Sequence, residues 1–367
     1  MLKKLRSLFG VTSQKPSDAS AFILLDQVPP KEISVDGHNP FPIANHLTSH
    51  HGLPVMDWVP VQSWVDAIAS EELQAQAWTA AEQAWLLHFR AALGAKYQLM
   101  QSGTAALLSP LDKNVAVATL EYMNRTLRRI TTVLEGVAEV APRGLDLLIV
   151  FEDDERYYDY VSHYYPDAGE FAFSGGMFID AGCGHFVTVQ ADLRSVEPVI
   201  VHEMTHACLS HLPLPLWLNE GLAVNTEQRL TGKPGCIYTP QQMRVKHLAF
   251  WGESEIREFW SGDSFARTDD GNLLSYDLAR IIVEQVAKDW SQFKNFVLAA
   301  DWHDAGAAAA VEYLGISLGD IVSSLLEKPN SSGWEPPVRP MENIDSASAR
   351  SPIRCAGATW PDAMHRH

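Results

Sequence analysis

Residues 199–208, VIVHEMTHAC, constrain the fold of this chain more than any other stretch. His202 and His206 are four residues apart, so on a helix their side chains project from one face, one turn apart. With Glu203 they form the pattern H-E-x-x-H, in which two imidazoles bind one Zn²⁺ and the glutamate accepts a proton from bound water. The apolar flank predicts a buried helix with Pro198 in its first turn. The alternative is a helix whose histidines only hydrogen-bond within the core.

A third candidate ligand follows this helix. Thirteen residues separate His206 from Glu220, which lies in a predicted second helix after a proline-containing turn. A helix–turn–helix of that length can bring Glu220 back over the two histidines, and a catalytic zinc site needs three protein ligands plus one open position. Glu227 is the competitor, because it lies seven residues further on nearly the same face. The shorter connection favours Glu220, and the prediction is one Zn²⁺ per chain.

The two motifs together resemble a known group of enzymes. H-E-x-x-H followed by WLNEGLA, residues 217–223, is similar to the gluzincin zinc metallopeptidases of the peptidase MA-like superfamily, and WLNEG also occurs in the aminopeptidase-N-like family. The resemblance extends over about residues 145–326. It implies that His202, His206 and Glu220 bind zinc and that Glu203 is the catalytic base. It also implies a peptide or protein as the substrate.

The same resemblance implies two further parts of a site. In related peptidases the strand before the metal helix pairs with the substrate main chain, through unpaired groups at an exposed sheet edge. The matching residues here are Ser174, Gly175, Gly176 and Met177, although a turn or bulge also explains the glycines. Tyr276, on a helix after the metal lobe, is the candidate donor to the oxyanion. A buried tyrosine with an ordinary hydrogen bond is the alternative.

Two positions depart from the family pattern. Phe178 stands where aminopeptidase-N-like enzymes carry a glutamate for the substrate's α-amine, which weakens an aminopeptidase prediction. Val224 stands four residues beyond the third ligand, where thermolysin-like enzymes carry an acidic residue that orients a histidine. We therefore expect Asn225, Glu227 or another side chain to orient the ligands here.

The apolar pattern, together with the resemblance, predicts an α+β fold. Its centre is a zincin-like metallopeptidase core, in which a small mixed β-sheet and the active-site helix are followed by a helical lobe, and an N-terminal helical region precedes it. Four regions are predicted: an extended arm over 1–60, the N-terminal helical region over 61–143, the zincin-like domain over 144–327 and a disordered tail over 328–367.

Individual elements follow from the same patterns. The predicted elements are helices over 64–93, with Gly94 as the stop, and over 120–137, a buried strand over 145–151, a helix over 153–165, and strands over 171–179 and 185–190 joined by a glycine-rich turn at 180–184.

Composition limits the partners and the compartment. The net charge of −17 argues against a surface that binds nucleic-acid phosphates. The four cysteines are scattered, which argues against a disulfide framework and favours a reducing compartment. The chain contains no apolar run of about 18 residues, so we expect no transmembrane helix. The basic start lacks the apolar segment of a signal peptide, and the predicted location is cytoplasmic.

Two other functions use the same residues. One is a non-catalytic, zinc-stapled domain that binds peptides or a partner protein. The other is a zinc hydrolase that cleaves a non-peptide amide, since the metal chemistry is the same for both kinds of bond. Glu203 beside a complete set of ligands favours an enzyme, because a binding module has no use for the base.

Overall fold

A seven-stranded mixed sheet organises the molecule. The computed structural model describes residues 21–164, 176–232, 238–337 and 353–355. The strands are β1 (Ile23–Leu25), β2 (Leu47–His50), β3 (Leu53–Met56), β4 (Gln98–Ser102), β5 (Ala105–Ser109), β6 (Asp146–Phe151), β7 (Gly176–Asp180), β8 (Gly184–Val189) and β9 (Ile353–Cys355). The sheet has the order β1-β4-β5-β6-β8-β7-β9, and β2 and β3 form a separate hairpin. β6 is parallel to both β5 and β8, and the other pairs are antiparallel.

Helices surround this sheet and build a lobe after it. They are α1 (Trp58–Asp66), α2 (Glu71–Leu93), α3 (Lys113–Val133), α4 (Asp154–Val161), α5 (Leu193–Leu209), α6 (Leu216–Thr231), α7 (Pro240–Phe250), α8 (Glu253–Ser261), α9 (Asp270–Val286), α10 (Trp290–Ala299), α11 (Ala307–Ala309) and α12 (Leu318–Leu325). A π-helical turn, Ala310–Leu314, continues α11, and single 3₁₀ turns lie at Ile43–His46, Asp263–Ala266 and Ser332–Trp334. The described part of the chain is therefore α+β, as predicted.

The two faces of the sheet bury separate cores. Successive side chains of a strand point to opposite faces. Leu148 and Val150 of β6 accordingly pack in a first core with α3, α5, α6 and the helical lobe. Leu147 and Ile149 pack in a second core with α1, α2 and α4. Because helices cover both faces, β6 is apolar along nearly its whole length, and this explains why it was predictable as a short apolar run.

The sheet crosses the boundary predicted at residue 144. β4 and β5, which the sequence pattern did not predict, pair with each other and continue through β6, with Leu107 opposite Leu148. The N-terminal region is therefore not wholly helical. All five residues of β5 are buried, so the strand shows no alternation, and its two alanines carry little strand propensity. The available signal was Gly103, which has a φ of +58° in the two-residue turn between the strands.

Predicted helices occur with shifted ends. α2 ends at Leu93, directly before Gly94, whose φ is +97°, as the sequence indicated. The helix predicted over 64–93 is divided, however, because α1 ends at Asp66 and α2 begins at Glu71. The second predicted helix, α3, begins at Lys113 and ends at Val133, earlier than expected at both ends. α5 begins at Leu193, so Pro198 lies inside this helix and not in its first turn. The reason is the cap at Asp192, whose side chain accepts a hydrogen bond from the Arg194 backbone N–H at 2.8 Å.

The predicted arm and tail are more structured than expected. From residue 21 onward the arm adds β1 to the sheet edge and packs the β2–β3 hairpin on the second core. In the tail, the prediction of disorder is wrong for residues 328–337. Trp334 is buried there, and its carbonyl oxygen accepts a hydrogen bond from the Trp260 indole N–H at 2.9 Å. β9 is likewise a paired strand.

None of the described helices is by itself long and apolar enough to cross a bilayer. One bent pair, Ala307–Leu314 with Leu318–Leu325, passes the same test on length and composition, with an angle of 86° between its two parts.

Candidate metal centre

Two packed helices carry the predicted ligands. His202, Glu203 and His206 lie on α5, and Glu220 lies on α6. Residues 210–215 connect these helices, and Pro213 and Pro215 keep the connection from continuing as a helix, since proline lacks the backbone N–H. The chain therefore reverses within a few residues, and the second turn of α6 returns to the face of α5 that carries the histidines.

The donor atoms stand at the spacing of a zinc site. Oε2 of Glu220 lies 3.2 Å from Nε2 of His202 and 3.4 Å from Nε2 of His206. Tetrahedral Zn²⁺ with bonds of about 2.0–2.1 Å places neighbouring ligand atoms about 3.3 Å apart. Among the described residues, these three side chains form a group whose ligand atoms all lie within 4.8 Å of one another. Two imidazoles and a carboxylate are a donor set that suits Zn²⁺.

The centre is buried, and its charges compensate one another. His202, Glu203, His206 and Glu220 are each at most 2% exposed. Burial raises the pKa of the Glu220 carboxyl, but the charge on His206 and the hydrogen bonds from both histidines outweigh burial and lower that pKa to about 2. Burial lowers the pKa of His202, yet its bonds to Glu220 and Glu227 raise it well above its usual value. Glu220 is therefore a carboxylate, the form that binds a metal.

Two further side chains orient the histidine rings. Nδ1 of His202 lies 3.2 Å from Oε2 of Glu227, and Nδ1 of His206 lies 2.7 Å from Oδ1 of Asn219. Each ring donates its Nδ1–H outward to an oxygen, so in the metal-binding tautomer the Nε2 lone pair points to the centre. The structure thus groups Glu220 with both Nε2 atoms, whereas Glu227 contacts the outer nitrogen of one ring.

Sequence reasoning found one of these two orienting residues. Glu227 was among the expected candidates, while Asn225 instead donates its amide N–H groups to the carbonyl oxygens of Gly221 and Arg280. Asn219 was missed. Its signal was its place in the WLNEG motif, immediately before Glu220, on the turn of α6 that faces His206.

Glu203 lies in the same buried region. It follows His202 directly on α5 and is fully buried. Its charge is one of those that raise the pKa of His202, after the hydrogen bonds to Glu220 and Glu227. Its role as the general base stays a prediction, because such a base has to lie within hydrogen-bond reach of the proton that it accepts.

Comparison with known proteins returns no relative. No family model, no curated protein and no solved structure matches this chain. The function must therefore be argued from the geometry of this centre and the residues around it.

Tyr276 lies on a helix that crosses α6. At the crossing, a Cβ on Gly221 would lie 2.7 Å from the carbonyl oxygen of Ala279, so only glycine permits this approach of α6 to α9. Tyr276 is one turn before Ala279 on α9, is 7% exposed, and meets the Phe265 ring edge-on at 5.1 Å between centroids. Its role as a donor to an oxyanion stays a prediction.

The predicted substrate strand is only partly described. Ser174 and Gly175 lie outside the described residues, and Gly176 and Met177 begin β7. The Met177 side chain is buried in the second core, so it contributes no exposed contact surface. Phe178 packs on Phe186 in the first core, with 5.2 Å between ring centroids, which makes this position apolar as the sequence indicated.

The outer edge of β7 is paired with another strand, whereas the sequence predicted an exposed edge. β9, from the C-terminal segment, pairs with it in antiparallel register. The pairing uses backbone groups, for which the sequence of a three-residue strand gives almost no signal. Substrate binding by β7 stays a prediction. The structure adds that β9 occupies the edge of β7.

Proposed function

We propose that this protein is a zinc-dependent peptidase of the gluzincin type. His202, His206 and Glu220 hold one Zn²⁺, and Glu203 is the general base. The observation that carries the proposal is the spacing of three buried donor atoms at 3.2 and 3.4 Å, which is that of ligands around tetrahedral zinc. The fourth position of such a tetrahedron is then left for water or substrate.

In this proposal each residue has a defined task. A Zn²⁺ at the centre supplies a Lewis acid that polarises a carbonyl oxygen and lowers the pKa of water to about 7. Glu203 accepts the proton of the attacking water and delivers it to the leaving amine. Tyr276 donates a hydrogen bond to the oxyanion that develops on the carbonyl oxygen. Glu227 and Asn219 hold the rings of His202 and His206 so that their lone pairs face the centre.

One observation favours a second candidate function. All four side chains of this centre are at most 2% exposed, whereas a substrate has to reach the metal of a catalytic site. A non-catalytic domain stapled by zinc would show the same burial. Such a domain gains nothing from Glu203, however, because a buried carboxylate that binds no metal costs free energy on burial. We therefore retain an enzyme as the proposed function. A non-peptide amide is the alternative substrate for the same chemistry.

Cleavage of a peptide library by the purified chain tests the proposal. We expect cleavage products when the protein holds one zinc per chain and none after a chelator has removed the metal. Return of cleavage on adding Zn²⁺ separates loss of metal from loss of protein. A chain that holds one zinc, remains folded and cleaves no library peptide would support the zinc-stapled domain instead. Cleavage of amide-containing small molecules alone would identify the non-peptide hydrolase.

A further inference from the structure

The chain's own C-terminal segment occupies the outer edge of β7. Cys355 lies opposite Met177, Arg354 opposite Phe178 and Ile353 opposite Ile179, in antiparallel register. In the sheet order, β7 follows β8 and would be the last strand if β9 were absent. A last strand presents a row of backbone N–H and C=O groups that can pair with another extended chain. β9 therefore uses the groups through which β7 could bind a peptide.

This edge begins beside the metal helix. A Cβ on Gly176, the first residue of β7, would lie 2.5 Å from Cγ1 of Val199. Val199 precedes His202 by three residues on α5, so both lie on one side of the helix, about one turn apart. The first residue of β7 thus lies against the turn of α5 that leads into the centre.

A second feature also indicates a closed form. The four side chains of the centre are at most 2% exposed, although hydrolysis requires a substrate carbonyl to reach them. The occupied edge and the buried centre are separate observations, one on backbone pairing and one on side-chain exposure. The pairing of β9 with β7 is the observation on which the following proposal rests.

We propose that the segment Ile353–Cys355 is a built-in competitor for the peptide-binding edge of β7, so that this form is self-inhibited. The expected effect on turnover rests on the peptidase function proposed above. The competition between β9 and a peptide for the edge of β7 does not depend on that function. A segment on the same chain competes at an effective concentration on the order of millimolar. β7 has five residues, and the described pairs with β9 involve Met177, Phe178 and Ile179, so an extended peptide that pairs along β7 competes for the same backbone groups.

Substitutions that act on the backbone test this competition in the full chain. Proline lacks the N–H that a ladder requires, so the triple variant Ile353→Pro, Arg354→Pro, Cys355→Pro releases the edge. The matched control is Ile353→Ala, Arg354→Ala, Cys355→Ala, which retains every backbone N–H. The probe is a fluorescein-labelled peptide with the sequence of residues 350–358, with serine in place of the cysteine, and fluorescence anisotropy measures its binding.

We expect the proline variant to bind the probe at least tenfold more tightly than the unaltered chain and the alanine variant do. Hydrogen exchange gives an independent reading, because the β7 amides that pair with β9 should exchange faster in the proline variant alone. If the triple variant does not fold, the single substitution Arg354→Pro is measured in the same way. Equal binding and equal exchange in all the folded chains would overturn the proposal.

Turnover separates this inference from the peptidase proposal. If both hold, the proline variant cleaves a peptide substrate with a kcat/KM about tenfold higher than that of the alanine variant. A second outcome is that no chain cleaves the substrate while the proline variant still binds the probe more tightly. That result contradicts the peptidase function and supports the competition for the edge. Equal turnover and equal binding in all chains contradict the competition and leave the peptidase function standing.

Discussion

Oδ1 of Asn219 lies 2.7 Å from Nδ1 of His206, which fixes this ring from the side opposite the metal centre. The residue directly before the third ligand therefore orients the second ligand. Because the amide oxygen accepts the Nδ1–H, the proton that a metal would replace is the one on Nε2, and the Nε2 lone pair would then face the centre. A helix that supplies both a ligand and the support for another ligand couples the position of α6 to the shape of the site.

The first prediction follows from this contact. Asn219→Ala should weaken zinc binding by about 10- to 100-fold, the usual effect of losing such an orienting partner. Asn225→Ala is the matched control, because Asn225 is on the same helix but bonds to backbone carbonyls of α6 and α9. That change should lower stability and leave zinc affinity unaltered. Titration against a chelator of known affinity measures both, and equal affinities in the two variants would remove the role assigned to Asn219.

The second prediction distinguishes the two glutamates of α6. Glu220→Ala should abolish stoichiometric zinc, because its carboxylate contacts both Nε2 atoms. Glu227→Ala should retain zinc with an affinity lower by about 10- to 100-fold, because Glu227 only supports one ring. His202→Ala and His206→Ala should behave like Glu220→Ala. Elemental analysis of the purified variants decides, and full zinc in Glu220→Ala with none in Glu227→Ala would reverse the assignment.

The third prediction separates the base from the ligands. Glu203→Gln should retain the zinc and the fold while it lowers turnover by about 10²- to 10⁴-fold, because an amide cannot accept the proton. Glu197→Gln makes the same chemical change on the same helix, outside the metal centre, and should leave turnover unchanged. Steady-state kinetics with metal analysis of each preparation is the measurement. Normal turnover in Glu203→Gln would rule out the proposed mechanism.

The sequence predicted the metal helices because their signals are local. Two histidines one turn apart and a proline-containing turn determine where the ligands lie, and no distant contact is needed to see this. Glu227 could be anticipated for the same reason, since it continues one face of α6. Asn219 was missed despite its place in the WLNEG motif, because helical periodicity puts neighbouring residues on different faces and does not indicate which oxygen reaches a ring on another helix.

The sheet was predictable only in part. β6 is an apolar run with clear ends and β8 is rich in β-branched and aromatic residues, but the small residues of β5 have no strand pattern of their own. They form a strand because β4 and β6 pair with them on either side. β9 depends still more on its context, since three residues cannot form a strand without a partner. These strands form because they pair with segments distant in the sequence. Such pairing cannot be inferred from the local pattern of a single sequence.

The fourth prediction concerns pH and the buried carboxyl of Glu82. Burial raises its pKa to about 8, although hydrogen bonds from the Trp78 indole at 2.8 Å and the Leu145 backbone N–H at 2.9 Å oppose this. The folded state therefore holds a proton that the unfolded state, with a pKa near 4.5, releases. Its contribution to stability is complete below pH 4.5 and is lost as pH rises through 8, by up to about 5 kcal/mol.

Denaturant unfolding between pH 5 and 8 measures this contribution. Glu82→Gln should be less stable at pH 5, since one of the two N–H donors then faces an amide N–H₂, but its stability should fall less with rising pH. Glu121→Gln changes an exposed glutamate of α3 and should keep the pH dependence of the unaltered chain. The same slope in all three proteins would contradict the protonated state assigned to Glu82.

The fifth prediction tests Tyr276. A donor to the oxyanion acts chiefly in the transition state, so Tyr276→Phe should lower kcat and kcat/KM together and leave KM nearly unchanged. Loss of one such donor costs about 3 kcal/mol, which is about 10²-fold in rate. Tyr160→Phe is the control, because it removes a buried hydroxyl that bonds to His185 at 2.8 Å in the second core. That variant should melt at a lower temperature while its folded fraction turns over normally, and the same behaviour in Tyr276→Phe would identify Tyr276 as a structural residue of the α6–α9 crossing.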